Sequence, residues 1–145
     1  MTKTIIAVAL ALLATTASAA DMFLVLPITS VHFNKDKNKT YNSRNYGLGV
    51  EVRCIGEDSG VAVGAFRNSL DKQASYAALD LSVARVHKLR LALLAGAVSG
   101  YERSHVFVAP KLSYEGDKYG ADLTLIPAAL KGGANSIGLS VRYKF

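Results

Sequence analysis

The run Ser136-Ile137-Gly138-Leu139-Ser140-Val141-Arg142-Tyr143-Lys144-Phe145 decides the fold. Ile137, Leu139, Val141, Tyr143 and Phe145 alternate with Ser136, Gly138, Ser140, Arg142 and Lys144. Successive side chains of a strand point to opposite faces, so this run predicts a strand with one apolar and one polar or small face. Seven earlier runs, mostly alternating in the same way, lie between turn-rich segments: Phe23 to Phe33, Asn45 to Ile55, Val61 to Asn68, Ser75 to Arg85, Leu89 to Ser99, Val106 to Glu115 and Tyr119 to Pro127. They are about nine to eleven residues long, the length a tilted strand needs to cross a bilayer.

Period-two alternation also suits a soluble secreted barrel, so the second faces carry the decision. They hold Glu51, Arg53, Asp80, Arg90, Asp122, Arg142 and Lys144, which cannot form an oily core. In an eight-stranded membrane barrel the same residues make a polar interior in which opposite charges pair. The expected fold is all-β, an eight-stranded antiparallel up-and-down transmembrane β-barrel. The final run, ending in aromatic-x-Phe, also resembles the terminal strand by which bacterial outer-membrane barrels are recognised for insertion.

Residues 1–20 read as a secretory signal peptide. Lys3 supplies a basic start, Ile5 to Ala14 an apolar run too short to span a membrane, and Ala17-Ser18-Ala19 a small-x-small cleavage site. Residues 21–145 are then the barrel. Loss of Lys3 takes the 17 basic residues to 16 against 11 acidic, a net charge of +5. In an exported protein that balance suits anionic lipid phosphates rather than nucleic acid. Cys54, the single cysteine, has no intrachain partner and reads as a wall residue. No run of the mature chain is long and apolar enough for a transmembrane helix.

The inward charges gather toward one end of their strands. Toward the other end the inward positions are Gly49, Gly64, Phe66, Tyr76, Leu94, Ala109 and Ile126. A closed polar plug beneath a less polar pocket is one reading, and ordinary packing with glycine at crowded spots is the other. A chain that starts on the periplasmic side places the connections after odd-numbered runs outside: Asn34 to Tyr41, Ser69 to Ala74, Gly100 to His105 and Ala128 to Ala134. The first carries Lys35, Lys37 and Lys39, either simply solvated or close to lipid phosphates.

His32 ends the first run and Ser69 follows the third, so both belong to the external rim. Parity turns His32 inward with Ser30, and Asn68 inward with Gly64 and Phe66. Ser69 faces outward unless the strand has begun to turn. A histidine that accepts a serine's proton makes the hydroxyl nucleophilic. A rim histidine and a loop serine are nonetheless commoner as plain solvated residues. His87 and His105 have no such partner in the pattern.

Several segments resemble the lipid A palmitoyltransferase (PagP) family of Gram-negative outer membranes. Pro27 stands five positions before His32, and Tyr41-Asn42-Ser43-Arg44-Asn45-Tyr46-Gly47 is similar to the family's Tyr-Asn-x-Arg-Pro-aromatic-Gly. Ala65-Phe66-Arg67-Asn68-Ser69-Leu70-Asp71-Lys72 is similar to its Ala-Phe-Lys-Asp-Ser-x-Asn-Lys, and Pro110 and Pro127 stand seventeen apart, as that family's pair do. The resemblance implies a monomeric barrel that moves an acyl chain from a phospholipid donor to lipid A, without metal or cofactor. It implies His32, Ser69 and Asn68 as the catalytic positions, with Phe66, Tyr76, Asp80, Pro27, Pro110 and Pro127 around the substrate. The three prolines cannot donate to a ladder and leave the wall unpaired in its outer half, gaps that in the family serve as side doors for lipid.

The chain departs from that pattern where Asn68 replaces the family's acid, with Asp71 nearby as a substitute carboxylate. It departs again where Asp80 replaces the glycine at the pocket floor, which shortens the pocket. The family's helix before strand one is missing, and Asn45 stands for the second strand's proline. Two alternatives accompany the transferase reading. One is a lipid A or phospholipid acyl hydrolase using the same pair. The other is a non-catalytic outer-membrane barrel that modifies the surface or blocks receptors, of host or phage origin.

Overall fold

The computed structural model describes residues 21–33, 38, 40–101, 105–127 and 135–145. The leader expected at 1–20 and Lys35, Lys37 and Lys39 of the first outer loop lie outside the described residues. Eight strands follow one another: β1 (Asp21–Phe33), β2 (Gly47–Ile55), β3 (Ser59–Arg67), β4 (Gln73–Val86), β5 (Leu89–Ser99), β6 (His105–Glu115), β7 (Tyr119–Ile126) and β8 (Asn135–Lys144). Each pairs antiparallel with its neighbours in sequence, and β8 returns to β1, closing the sheet. Closure removes every exposed edge, which a bilayer demands because its core offers backbone groups no water.

The distribution of side chains is that of a water-soluble barrel turned inside out. Leu79, Leu91, Leu93, Val108, Leu112, Leu123, Leu125 and Ile137 point out of the wall and are exposed. Glu51, Asp80, Arg90, Lys111, Asp122 and Arg142 point in and are buried. An apolar exterior around a polar interior is the arrangement of a transmembrane barrel. Aromatic residues band one end: the rings of Tyr119 and Tyr143 stand 5.4 Å apart, as do those of Tyr143 and Phe145, where a membrane interface favours amphipathic rings.

That banded end carries the short connections. His87 turns β4 into β5 with a φ of 52°, and Gly56 sits at 59° in the turn after β2. Both chain ends of the barrel meet there too, with Lys144 Nζ 2.7 Å from Asp21 Oδ2. The longer connections lie at the opposite end, called here the outer rim.

Several features interrupt the regular wall. A bulge between Pro27 and Thr29 shifts the β1–β8 register where proline offers no N–H. The β1–β2 ladder ends at Val25 opposite Gly49, and the β6–β7 ladder at Lys111 opposite Thr124, so Pro27, Pro110 and Pro127 all stand beyond the last pair. A second bulge, between Ser82 and Ala84, resets the alternation of β4. Arg85, which strict parity places on the Leu79 face, thereby reaches Asp58 and Glu115.

The second run was expected to begin at Asn45, but β2 begins at Gly47. Residues 42 to 46 leave the β2 ladder and bridge its neighbours instead. Ser30 N donates to Ser43 O at 2.9 Å and Asn45 N to Ile28 O at 3.1 Å; Asn42 N donates to Ser69 O at 2.8 Å and Arg67 N to Tyr46 O at 2.9 Å. This segment binds the ends of β1 and β3 together at the outer rim.

Candidate functional site

The lower half of the lumen is filled by charge. Glu51 Oε2 meets Lys111 Nζ at 2.9 Å and Arg142 Nη2 at 2.7 Å, and Glu51 Oε1 meets Arg53 Nε at 3.2 Å. Asp80 receives Arg90 at 2.6 Å and also Lys111. Arg142 reaches Glu115 at 2.9 Å and Asp122 at 3.4 Å. At the short-turn end Arg53 holds Glu115, and Arg85 spans Glu115 at 2.7 Å and Asp58 at 2.6 Å. The Arg53 and Arg142 guanidinium groups lie over the Phe23 ring, 4.4 and 4.2 Å from its centroid. The Arg85 hydrogen bond also holds the Asp58 carboxyl, in the turn outside the wall, below its ordinary pKa. Five acids and five bases occupy the network, so it is electrically balanced. An interior of this kind seals an eight-stranded barrel, which is only wide enough for side chains.

Asp80 was expected at the floor of a substrate pocket. It lies deeper, wholly buried in this network, and is not among the residues that line the space above. Tyr76 lies where the two regions meet, and Glu51, Lys111 and Asp122 of the network also reach the space above. Gly49 and Gly64 make room for its ring: a Cβ at Gly64 would stand 2.7 Å from Tyr76 Cε1, and one at Gly49 2.7 Å from the hydroxyl. Both glycines are therefore required by close approach rather than by backbone freedom.

Above Tyr76 is a partly open cavity of about 140 Å³, walled chiefly by apolar groups including Phe66, Leu94, Val98, Ala109 and Ile126. Polar plug and apolar pocket thus coexist, and the sequence pattern locates both. Pro27 lines the cavity, whereas Pro110 is exposed on the wall. Ser30, Asn45, Ser69 and Tyr101 contribute polar groups to the lining. Ser30 Oγ bonds to Asn45 Oδ1, and Asn45 Nδ2 donates to Arg67 O at 2.9 Å.

Ser69 does not face outward as strand parity suggested. The chain turns after Arg67, and Ser69 is 1% exposed. The turn is built by Asn68. Its Oδ1 accepts from the N–H of Leu70 at 2.9 Å and of Lys72 at 3.0 Å, and its Nδ2 donates to Gly100 O at 2.9 Å. Its backbone N–H donates to Lys72 O at 2.8 Å and its carbonyl accepts from Asp71 N at 3.0 Å. Every polar group of Asn68 is thus committed, most of them within the turn and the side-chain Nδ2 joining it to the loop after β5. Aspartate could not donate to Gly100, which gives asparagine here a structural reason.

The other residues expected beside Ser69 have contacts of their own. Asp71, at a φ of 62°, forms a two-pronged pair with Arg67 at 2.6 and 2.9 Å, in which both side chains are well exposed. Both of its carboxylate oxygens are thus taken by Arg67. His32 is inward and buried as parity predicts, but its ring packs on Tyr41, centroids 5.1 Å apart, and it is not among the cavity's lining residues. Tyr101 is the residue that sequence reasoning missed. Burial pushes its phenol above the ordinary pKa, and the neighbouring Ser69 hydroxyl offsets this only in part. A phenol held protonated donates a hydrogen bond and cannot serve as a base for serine at neutral pH.

No family model matches the chain, and no curated protein matches it either. Among solved structures, the outer membrane protein Ail of Yersinia pestis in a phospholipid bilayer nanodisc is similar. It superposes with a TM-score of 0.53 at 11% identity, over 88% of this chain and 100% of that one. The crystal structure of Ail, the attachment invasion locus protein of Yersinia pestis, gives 0.45 at 15% identity, over 87% of this chain and 98% of that one. The nanodisc likeness shows a shared eight-stranded barrel fold.

Proposed function

We propose that this chain is a non-catalytic barrel of the Gram-negative outer membrane, exported by residues 1–20, that acts through its outer-rim loops by altering the cell surface or blocking a receptor. The single observation that carries this reading is the commitment of Asn68. The residue standing where the transferase pattern has an acid spends its amide on Leu70, Lys72 and Gly100. A histidine base oriented by a third group is what nucleophilic serine requires, and Asn68, which holds the third group's place in that pattern, is engaged by its own turn and by the loop after β5. The sealed lower lumen argues against a pore.

One observation favours a second reading, a PagP-like acyltransferase using phospholipid and lipid A. Ser69 lines an apolar cavity in a barrel whose β1–β2 ladder stops at Val25 and whose β6–β7 ladder stops at Lys111. Mass spectrometry of lipid A from cells expressing the chain, with Ser69→Ala and His32→Ala alongside, separates the two. Unchanged lipid A and phospholipid in all three supports the non-catalytic barrel. An added acyl group lost in Ser69→Ala overturns it in favour of the transferase. Loss of phospholipid acyl chains without gain on lipid A points to a hydrolase.

A further inference from the structure

We propose that the outer-half cavity is a binding site for one compact, uncharged molecule of about six carbons that carries a hydroxyl or carbonyl anchored at Ser69. This goes beyond the function proposed above, since it needs no chemistry at the serine.

Size sets the first limit. The space of about 140 Å³ compares with the roughly 150 Å³ apolar cavity that takes up benzene. It therefore holds a six-membered ring or a short chain. Tyr76 and the charges beneath it close the floor, so no deeper channel is open to a longer tail.

Charge sets the second limit. Lys111, Glu51 and Asp122 touch the floor, but each is engaged in an ion pair with another protein group. An ionised ligand would give up its water without gaining a counter-charge. The walls, Phe66, Leu94, Val98 and Ile126 among them, suit an apolar body.

The anchor follows from Ser69. The residue lines the cavity and is 1% exposed, and its Oγ makes no hydrogen bond of ordinary geometry among the described residues. The Tyr101 phenol is its polar neighbour. A serine hydroxyl donates once and accepts twice and a phenol does likewise, so this pair keeps hydrogen-bonding capacity for a molecule seated in the cavity. A ligand hydroxyl can both accept from and donate to this Ser69–Tyr101 pair, and a carbonyl can accept from it.

The test uses the full barrel in phospholipid nanodiscs, titrated with phenol, toluene and hexanoate and followed by amide chemical shifts. Phenol should bind saturably, with shifts confined to Ser69, Tyr101 and the cavity walls. Toluene, of the same shape without the hydroxyl, should bind roughly two- to tenfold more weakly, the worth of one hydrogen bond. Ser69→Ala should erase that preference while leaving toluene binding intact, and Ala109→Leu should abolish both by filling the space. Val98→Phe repeats the filling test if Ala109→Leu does not yield a folded, heat-modifiable band. Equal binding of phenol and toluene by the wild type, a preference that survives in Ser69→Ala, tighter binding of hexanoate than phenol, or no saturable binding would each overturn the proposal.

Discussion

Replacing Asp80 by leucine tests whether the charged plug holds the barrel together. Asp80 is fully buried and accepts from Arg90 at 2.6 Å and from Lys111. Removing it discards two charge-assisted hydrogen bonds, each worth about 1.5–3 kcal/mol. It also leaves one unit of positive charge uncompensated in a sealed lumen. Both cations keep one partner: Arg90 still donates to Asp58 O at 2.6 Å and Lys111 still meets Glu51 at 2.9 Å. The residual contacts hold the cost of Asp80→Leu to about 3–5 kcal/mol, the range for breaking one side of a buried pair. Adding Arg90→Met to the same chain should recover most of that loss, because apolar groups of similar volume replace a buried pair at little net cost. Reversible urea unfolding in lipid vesicles, read by far-UV circular dichroism and by the heat-modifiable gel band, measures both. A cost below about 1 kcal/mol for Asp80→Leu, or a double variant no more stable than the single, refutes a structural role for the network.

Asn68→Asp should destabilise by about 1–3 kcal/mol, since the buried carboxylate loses the bond to Gly100 O and faces that carbonyl instead; lipid A mass spectra should show no gain of activity. Gly64→Val places a side chain against the Tyr76 ring, which the 2.7 Å approach forbids without movement, and should cost about 1–3 kcal/mol in urea unfolding. The pH profile carries a weaker signature. Asp58 is held below its ordinary carboxyl pKa by Arg85, so its contribution is complete above about pH 4 and lost as the pH falls further. Wild type should lose more stability than Asp58→Asn on acidification below that value, and the two should respond alike between pH 7 and 5.

The fold was legible because the eight runs state their faces openly. Run five, Leu89 to Ser99, coincides with β5, and every other bound falls within two residues. The charges Glu51, Asp80, Arg90 and Arg142 declared a polar lumen, and Phe66, Tyr76, Leu94 and Ile126 the cavity above it. Arg85 escaped notice because the bulge at Ser82 and Ala84 has no residue signature to reset the alternation. The rim was harder still. Parity cannot say how a chain turns after its last paired residue, so the burial of Ser69 and the folding of residues 42 to 46 onto β1 and β3 were beyond it. Asn68 read as a weakened catalytic acid because its hydrogen bonds to Leu70, Lys72 and Gly100 exist only in three dimensions. Tyr101 follows a glycine with a φ of 90° in a short loop, and nothing in its spacing tied it to Ser69.

The central claim is that the barrel presents its rim to the outside without transferring acyl chains. Its most direct test is the mass of lipid A from Gram-negative cells expressing the wild-type chain, compared with cells lacking it. A non-catalytic barrel predicts identical lipid A in the two. A new species heavier by one acyl chain, absent when Ser69 is alanine, would contradict it.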